Sequence, residues 1–182
     1  MINSNTHKNP HREPSTPGYR KRRLAGDEVT SKIMSLLKER EYANRQQMDE
    51  LIHRVKWSDD SLYDLLITEN ILSEKQLLEM VSEIAGVPFR RLSHTEIETD
   101  SIQHLNSKIA VRYRIMPLRM RRGRLLLASD HILDTAEEEQ LRLILGLNLE
   151  WNLCTSHDLD ECIKHYYGVA VETFLQLEAA AA

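Results

Sequence analysis

The sequence has no long apolar run. Its longest aliphatic stretches are pieces such as Leu125-Leu126-Leu127-Ala128, far short of the roughly 18–20 residues a membrane-spanning helix needs. Cysteine is scarce: Cys154 and Cys162 are the only two, which excludes a disulfide-built scaffold and suits a reducing compartment. Six glycines and five prolines in 182 residues exclude fibrous and low-complexity classes. No Gly-Lys pair occurs, so there is no Walker A loop, and GxGxxG, GxSxG and HExxH are missing as well. Those absences remove the phosphate, dinucleotide, hydrolase and zinc-protease loops in turn, and with them the usual reasons to expect an enzyme. The first fourteen residues lack the apolar core of a signal peptide, so a secreted precursor is not expected.

What is present can fold. Hydrophobic residues make up 41% and charged residues 29%, enough for a core and a solvated surface, and the length suits one domain or one domain plus a small helical unit. Charge is unevenly placed. Residues 1–24 hold six Lys/Arg and only Glu13 as an acid, so they are strongly basic while the rest of the chain is acidic, for a net charge of −4. With Pro10, Pro14, Pro17 and Gly18 and almost no aliphatics, residues 1–24 are expected to form a disordered basic tail.

From Asp27 the periodicity is helical. Val29, Ile33, Leu36 and Leu37 recur at spacings of three and four, and Met48, Leu51, Ile52 and Val55 share a second face. Ser58 or Asp59 is placed to cap a third helix carrying Leu62, Leu65 and Leu66. Ser73-Glu74-Lys75-Gln76 is a capping box ahead of Leu77, Leu78, Met80, Val81 and Ile84, with Gly86 as the stop. Residues 27–86 therefore read as a helical subdomain.

Residues 87–168 read as a compact α+β subdomain. Phe89–Leu92 has the look of a short strand, and Asp100 of the cap on a helical turn. Residues 114–121 and 124–129 form two strands about an Arg122-Gly123 turn. A helix runs from Asp134 to Gly146, Leu147–Cys154 alternates as a strand, and a last helix starts at Ser156 and ends at Gly168. The expected fold class is α+β: a small helical unit followed by an α/β sandwich with a short mixed sheet. Leu125, Leu127, Ile144 and Leu149 are the expected core of that sandwich, and residues 169–182 are assigned as a linker or tag.

Two clusters gather residue types that carry chemistry. Cys154, His157, Cys162 and His165 are all zinc-ligating types, but their spacing fits no common zinc pattern and Cys162 lies in an apolar helix stripe. No metal and no cofactor are expected. Arg112, Arg114, Arg119, Arg121, Arg122 and Arg124 crowd the hairpin; without aromatic stacking partners they read as a solvated strand face, and nucleic acid is not expected. Glu137, Glu138 and Glu139 suit the first turn of a helix, where negative charge complements the dipole.

Several ordered segments resemble the N-terminal domain of type II secretion and type IV pilus assembly ATPases. These are Ser61-Leu62-Tyr63-Asp64-Leu65-Leu66, Ile71-Leu72-Ser73-Glu74-Lys75-Gln76-Leu77, Ala85-Gly86-Val87-Pro88-Phe89, residues 109–118 with Tyr113 and Pro117-Leu118, residues 124–130, and Tyr166-Tyr167-Gly168 near the end. The resemblance implies a non-catalytic, cytoplasmic, bacterial domain held at the inner membrane through its partner. That partner would be the cytoplasmic part of an inner-membrane assembly protein, with the ATPase core of the parent protein, absent from this chain, as a second. Alternatives are a cyclic di-GMP sensor with a degenerate motif, or the same domain fused to a membrane glycosyltransferase. Cyclic di-GMP binders of this family carry two copies of a motif opening Arg-Leu-Gly, with a central Gly and a closing Gln. The matching stretch here has Ser61-Leu62-Tyr63, Asn70 and Ile84, and a first copy before Ser58 is not recognisable. Cyclic di-GMP binding is therefore not expected. Partner docking is expected on the helical unit, through Leu37, Met48, Leu51, Ile52 and Val55, because about sixty residues cannot readily enclose so much aliphatic surface.

Overall fold

The computed structural model describes residues 26–57 and 61–181. The expected basic tail at 1–24 and the caps at Ser58 and Asp59 lie outside the described residues.

Four helices open the described chain: α1 (Gly26–Glu39), α2 (Arg45–Trp57), α3 (Leu62–Thr68) and α4 (Glu74–Ala85). Helix α3 is capped by Ser61, whose hydroxyl accepts from the amide of Asp64. Helix α4 carries the full Ser73–Gln76 capping box and ends at Gly86 in the left-handed region, φ 68°. The apolar stripes of the four helices meet in one cluster centred on Ile33, Leu37, Leu51, Leu65, Leu66 and Leu77.

The second half is built on three strands, β1 (Ile115–Arg121), β2 (Arg124–Ser129) and β3 (Asn148–Leu153). Strands β1 and β2 are antiparallel and β2 and β3 parallel, so the sheet is mixed with order β1-β2-β3. The β1–β2 turn uses Arg122 at φ 49° and Gly123 at φ 75°. Two consecutive positive φ values are what a two-residue hairpin loop with the right twist requires. Pro117 can sit in β1 because that strand lies at a sheet edge, and the register shifts beside it. The β1 edge is covered: the amide of Glu98 donates to the Leu118 carbonyl at 2.7 Å, and the Ser101 hydroxyl reaches the Pro117 carbonyl at 3.3 Å.

Short helices α5 (Thr99–Ile102) and α6 (Ser107–Tyr113) precede the sheet, α7 (Thr135–Leu145) connects β2 to β3, and α8 (Ser156–Ala181) closes the chain. Because alternate residues point to opposite faces, the sheet has two cores. Leu125 and Leu127 join Ile115, Tyr113, Leu141 and Leu149 on one face; Leu126 and Ala128 join Met116, Leu118, Leu159 and Cys162 on the other. Helix on sheet, beside a helical unit, is the α+β architecture the sequence predicts.

Four local expectations need correction. Phe89 does not open a strand; it makes one bridge to Leu153, flanked by Arg90 N–H to Leu153 O (2.8 Å) and Leu153 N–H to Pro88 O (2.7 Å). Helix α5 is preceded by Glu98, not capped by Asp100, which lies inside it. Helix α8 does not stop at Gly168 but runs on as one helix to Ala181, because a glycine without a following breaker costs only about 1 kcal/mol against alanine and does not end a helix by itself. Ile144 is not core: it is 49% exposed, since α7 turns only the Leu141 stripe toward the sheet.

Candidate functional site

The helical unit contains a geometry that sequence patterning did not reveal. After α1, the amide of Arg40 donates to Leu36 O (2.9 Å), Glu41 to Lys38 O (3.3 Å) and Tyr42 to Leu37 O (3.0 Å). After α3, Glu69 donates to Leu65 O (3.0 Å), Asn70 to Ile67 O (3.1 Å) and Ile71 to Leu66 O (3.0 Å). Glu41 and Asn70 occupy the same left-handed conformation, φ 55° and 53°. Three residues later each segment forms a reciprocal capping box. Gln47 and Asn44 exchange two bonds of 2.9 Å, and Gln76 and Ser73 exchange bonds of 3.3 and 2.9 Å. The α1–α2 pair is thus a repeat of the α3–α4 pair, offset from Glu41 to Asn70.

The backbone of the turn repeats, although the residues of a first motif copy are not recognisable. The copy is there in backbone form, with Lys32, Met34, Glu41 and Val55 standing where the second copy has Ser61, Tyr63, Asn70 and Ile84. Alignment by the apolar stripe alone misses it, because Glu41 gives no sign of a left-handed turn. The signal that could have found it is the pair of boxes, Asn44-x-x-Gln47 and Ser73-x-x-Gln76.

The side chains at the motif positions are committed to the protein. Tyr63 is buried among Leu62, Leu65 and Leu66, and its hydroxyl donates to Glu74 Oε1 at 2.8 Å. Ser61 is used as the α3 cap. Ile84 packs against the helical core, where its branched side chain offers no hydrogen bond. Asn70 keeps the turn that a glycine would make, since asparagine tolerates the left-handed region.

Glu74 continues into a half-buried polar junction between the two halves. The Ser156 amide donates to Glu74 Oε1 at 3.0 Å, and the Ser156 hydroxyl bonds both that oxygen and Asp130 Oδ2 (3.1 Å). Asp130, wholly buried at the end of β2, also takes Arg114 Nε at 2.6 Å and pairs with His131 Nδ1 at 2.9 Å. Arg114 reaches on to Asp160 at 2.8 Å. Burying the Asp130 carboxylate is tolerable only because every one of these partners faces it. Arg114 sits at φ 49°, a left-handed C-cap to α6 that aims the guanidinium into the junction. Sequence reasoning counted Arg114 among the hairpin arginines; the structure removes it from that set.

The five aliphatics singled out for docking separate. Leu37 and Leu51 are buried in the helical core, Met48 and Val55 pack against that core in part, and Ile52 is 40% exposed. Leu37 and Leu51 are therefore corrected: they hold the unit together, because α1 and α2 turn these positions toward α3 and α4. What α2 leaves accessible is Ile52, the outer edges of Met48 and Val55, and Trp57, which is 79% exposed.

The cysteine–histidine group does not assemble. Cys154 and Cys162 are both buried, whereas His157 and His165 are exposed. Burial pushes the Cys162 thiol up to about 11, helped by Asp158 and Glu161, and raises Cys154 further. Among the described residues, no three His, Cys, Asp or Glu side chains are grouped to hold a metal ion. No helix among them is long and apolar enough to cross a membrane.

Comparison with known proteins places this geometry. No curated protein sequence matches the chain significantly. Residues 85–173 match the MshEN domain family. The solved structure of MshE with cdg has a TM-score of 0.66 at 24% identity, covering 74% of this chain and 98% of that one. The N-terminal domain of XpsE has a TM-score of 0.60 at 22% identity, covering 78% and 97%. Residues 85–173 therefore match the MshEN domain family, and the chain as a whole has the fold of the MshE and XpsE N-terminal domains.

Proposed function

We propose that this is a non-catalytic docking domain of a type II secretion or type IV pilus assembly ATPase. It would act in the cytoplasm, binding the cytoplasmic part of an inner-membrane assembly protein. The observation that carries this reading is the state of the repeated turns. Their backbone is kept twice over, while Tyr63, Ser61 and Ile84 are turned to packing and capping. A scaffold held without its ligand groups suits protein recognition better than nucleotide sensing. The docking surface in this proposal is the outer side of α2, where Met48, Ile52 and Val55 form an i, i+4, i+7 stripe ending near Trp57. Such a stripe suits a groove or helix face on the partner. The test is co-purification of the full chain with the cytoplasmic domain of the inner-membrane protein. Met48→Glu with Ile52→Glu should abolish it while circular dichroism stays native. Retained capture by that variant would sink the α2 surface.

The second reading, a nucleotide sensor, draws support from MshE having been solved with cdg. It is opposed by the loss of guanidinium, glycine and amide at the motif positions. Calorimetric titration with cyclic di-GMP separates the two: no heat at micromolar concentrations supports docking, and micromolar binding supports sensing.

A further inference from the structure

The end of the sheet opposite the polar junction carries a second, unassigned surface. Arg121 stands directly across from Arg124 in the β1–β2 ladder, and Arg119 and Arg122 flank them. Like charges placed opposite each other cost stability rather than adding it. Among the described residues none of these four arginines forms an ion pair, although the chain as a whole is acidic at −4. Arg122 bears its charge from a left-handed turn position, φ 49°, that asparagine or glycine would occupy at less cost.

Apolar surface lies at the same end. The parallel register pairs Arg124 with Asn148, the first residue of β3. Asn148 also lines an open groove of about 490 Å³ with Leu143, Gly146 and Leu147, and with the charged pair of side chains Glu139 and Arg142 on its wall. Leu143 is 84% exposed and Ile144 beside it 49%, the apolar end of α7. Met120, across from Leu125 on the sheet face that α7 covers, is 37% exposed. One end of the molecule thus presents Met120, Leu143 and Ile144 on the α7 side of the sheet and Arg119, Arg121 and Arg124 on the other, with Arg122 at the tip between them.

We propose that this end, the β1–β2 hairpin tip with the C-terminal end of α7, rests on an anionic phospholipid surface. Aliphatic side chains enter the headgroup region while arginines bind phosphates bidentately, the combination by which interfacial segments adhere. The protruding exposure of Leu143 and the hairpin tip fits a broad, yielding partner, and the lack of aromatics at the tip argues against stacked nucleic-acid bases. The surface is separate from the α2 stripe, so either proposal stands without the other.

The test is co-sedimentation of the full chain with vesicles of phosphatidylcholine containing about one-third phosphatidylglycerol, against pure phosphatidylcholine vesicles, at low and physiological salt. Binding to the anionic vesicles alone, weakening with salt, is expected. Replacing Arg119, Arg121, Arg122 and Arg124 with Gln should weaken partitioning by about fivefold per charge removed. The basic residues of 1–24 remain in that variant, so the loss would locate the contact on the hairpin. Leu143→Ser should reduce the binding that survives at physiological salt. Unchanged partitioning of the four-Gln variant would overturn the proposal, as would absence of the wild type from anionic vesicles at low salt. Salt-sensitive sedimentation without vesicles would also overturn it, by assigning the surface to a second copy of the chain.

Discussion

Asp130→Ala is the most informative single perturbation of the fold. The carboxylate is wholly buried and gathers Arg114 at 2.6 Å, His131 at 2.9 Å and Ser156 at 3.1 Å. Its removal leaves the Arg114 guanidinium in a site where that side chain is only 16% exposed. Removing one member of a buried pair costs about 3–5 kcal/mol. Asp160 remains at 2.8 Å on a largely exposed side chain, which places the expected loss at the lower end, about 3 kcal/mol. For a chain of this size each kcal/mol moves Tm by about 2–4 °C, so the melt should fall by about 6–12 °C. Urea unfolding followed by circular dichroism measures the loss directly, with an unchanged m-value showing that the same surface is exposed. A double-mutant cycle with Arg114→Met isolates the pair from the Ser156 and Glu74 bonds, and a coupling of about 1.5 kcal/mol or more is expected. An Asp130→Ala loss below about 1 kcal/mol, or a coupling near zero, would refute the idea that Asp130 and Arg114 act as a buried, mutually dependent pair.

Other outcomes follow from the same packing. Leu37→Ala should cost about 2–5 kcal/mol in urea unfolding, as a cavity in the helical core, whereas Ile52→Ala should cost under about 1 kcal/mol; equal losses would contradict the burial pattern. Cys162→Ala should fold with a loss of about 1 kcal/mol, and the native thiol should resist iodoacetamide at pH 8 because it stays protonated until about 11. Since that folded value lies above the ordinary 9.0, the thiol's contribution is intact below pH 9 and is lost as pH rises toward 11, which alkaline unfolding curves of wild type and Cys162→Ala would compare. Gly146→Ala should cost about 1 kcal/mol through its φ of 66°, although nothing blocks a Cβ there; a neutral result would mean that the α7 cap relaxes.

Most of the fold is legible in the sequence wherever a local rule has one answer. Ser73-x-x-Gln76 is a capping box in sequence and in structure, the helix read from Asp134 is there with Asp134 as its cap, and Arg122-Gly123 makes the expected turn. The alternation of Leu125, Leu126, Leu127 and Ala128 between two cores follows from their being a central strand. Positions that depend on distant neighbours are not legible. Leu143 and Ile144 differ from Leu141 only in which side of α7 meets the sheet, and nothing local states that. Leu37 and Leu51 are as aliphatic as Ile52; only the crossing of α1 and α2 over α3 and α4 sends two inward and leaves the third out. Arg114 reads as one more hairpin cation until its left-handed backbone turns it toward Asp130.

The paired turns at Glu41 and Asn70 have a consequence for how such a domain can change over time. Leu37 and Leu66 stand at equivalent places in the two copies and meet in one core. Neither copy can shift its aliphatic register unless the other yields, so the inward positions are bound to each other across the repeat. The outward positions carry no such bond. Glu41 and Asn70 can diverge freely so long as each turn closes and each cap is kept. The inward aliphatics are thereby held more tightly than the turn residues, which can change without the helices registering it.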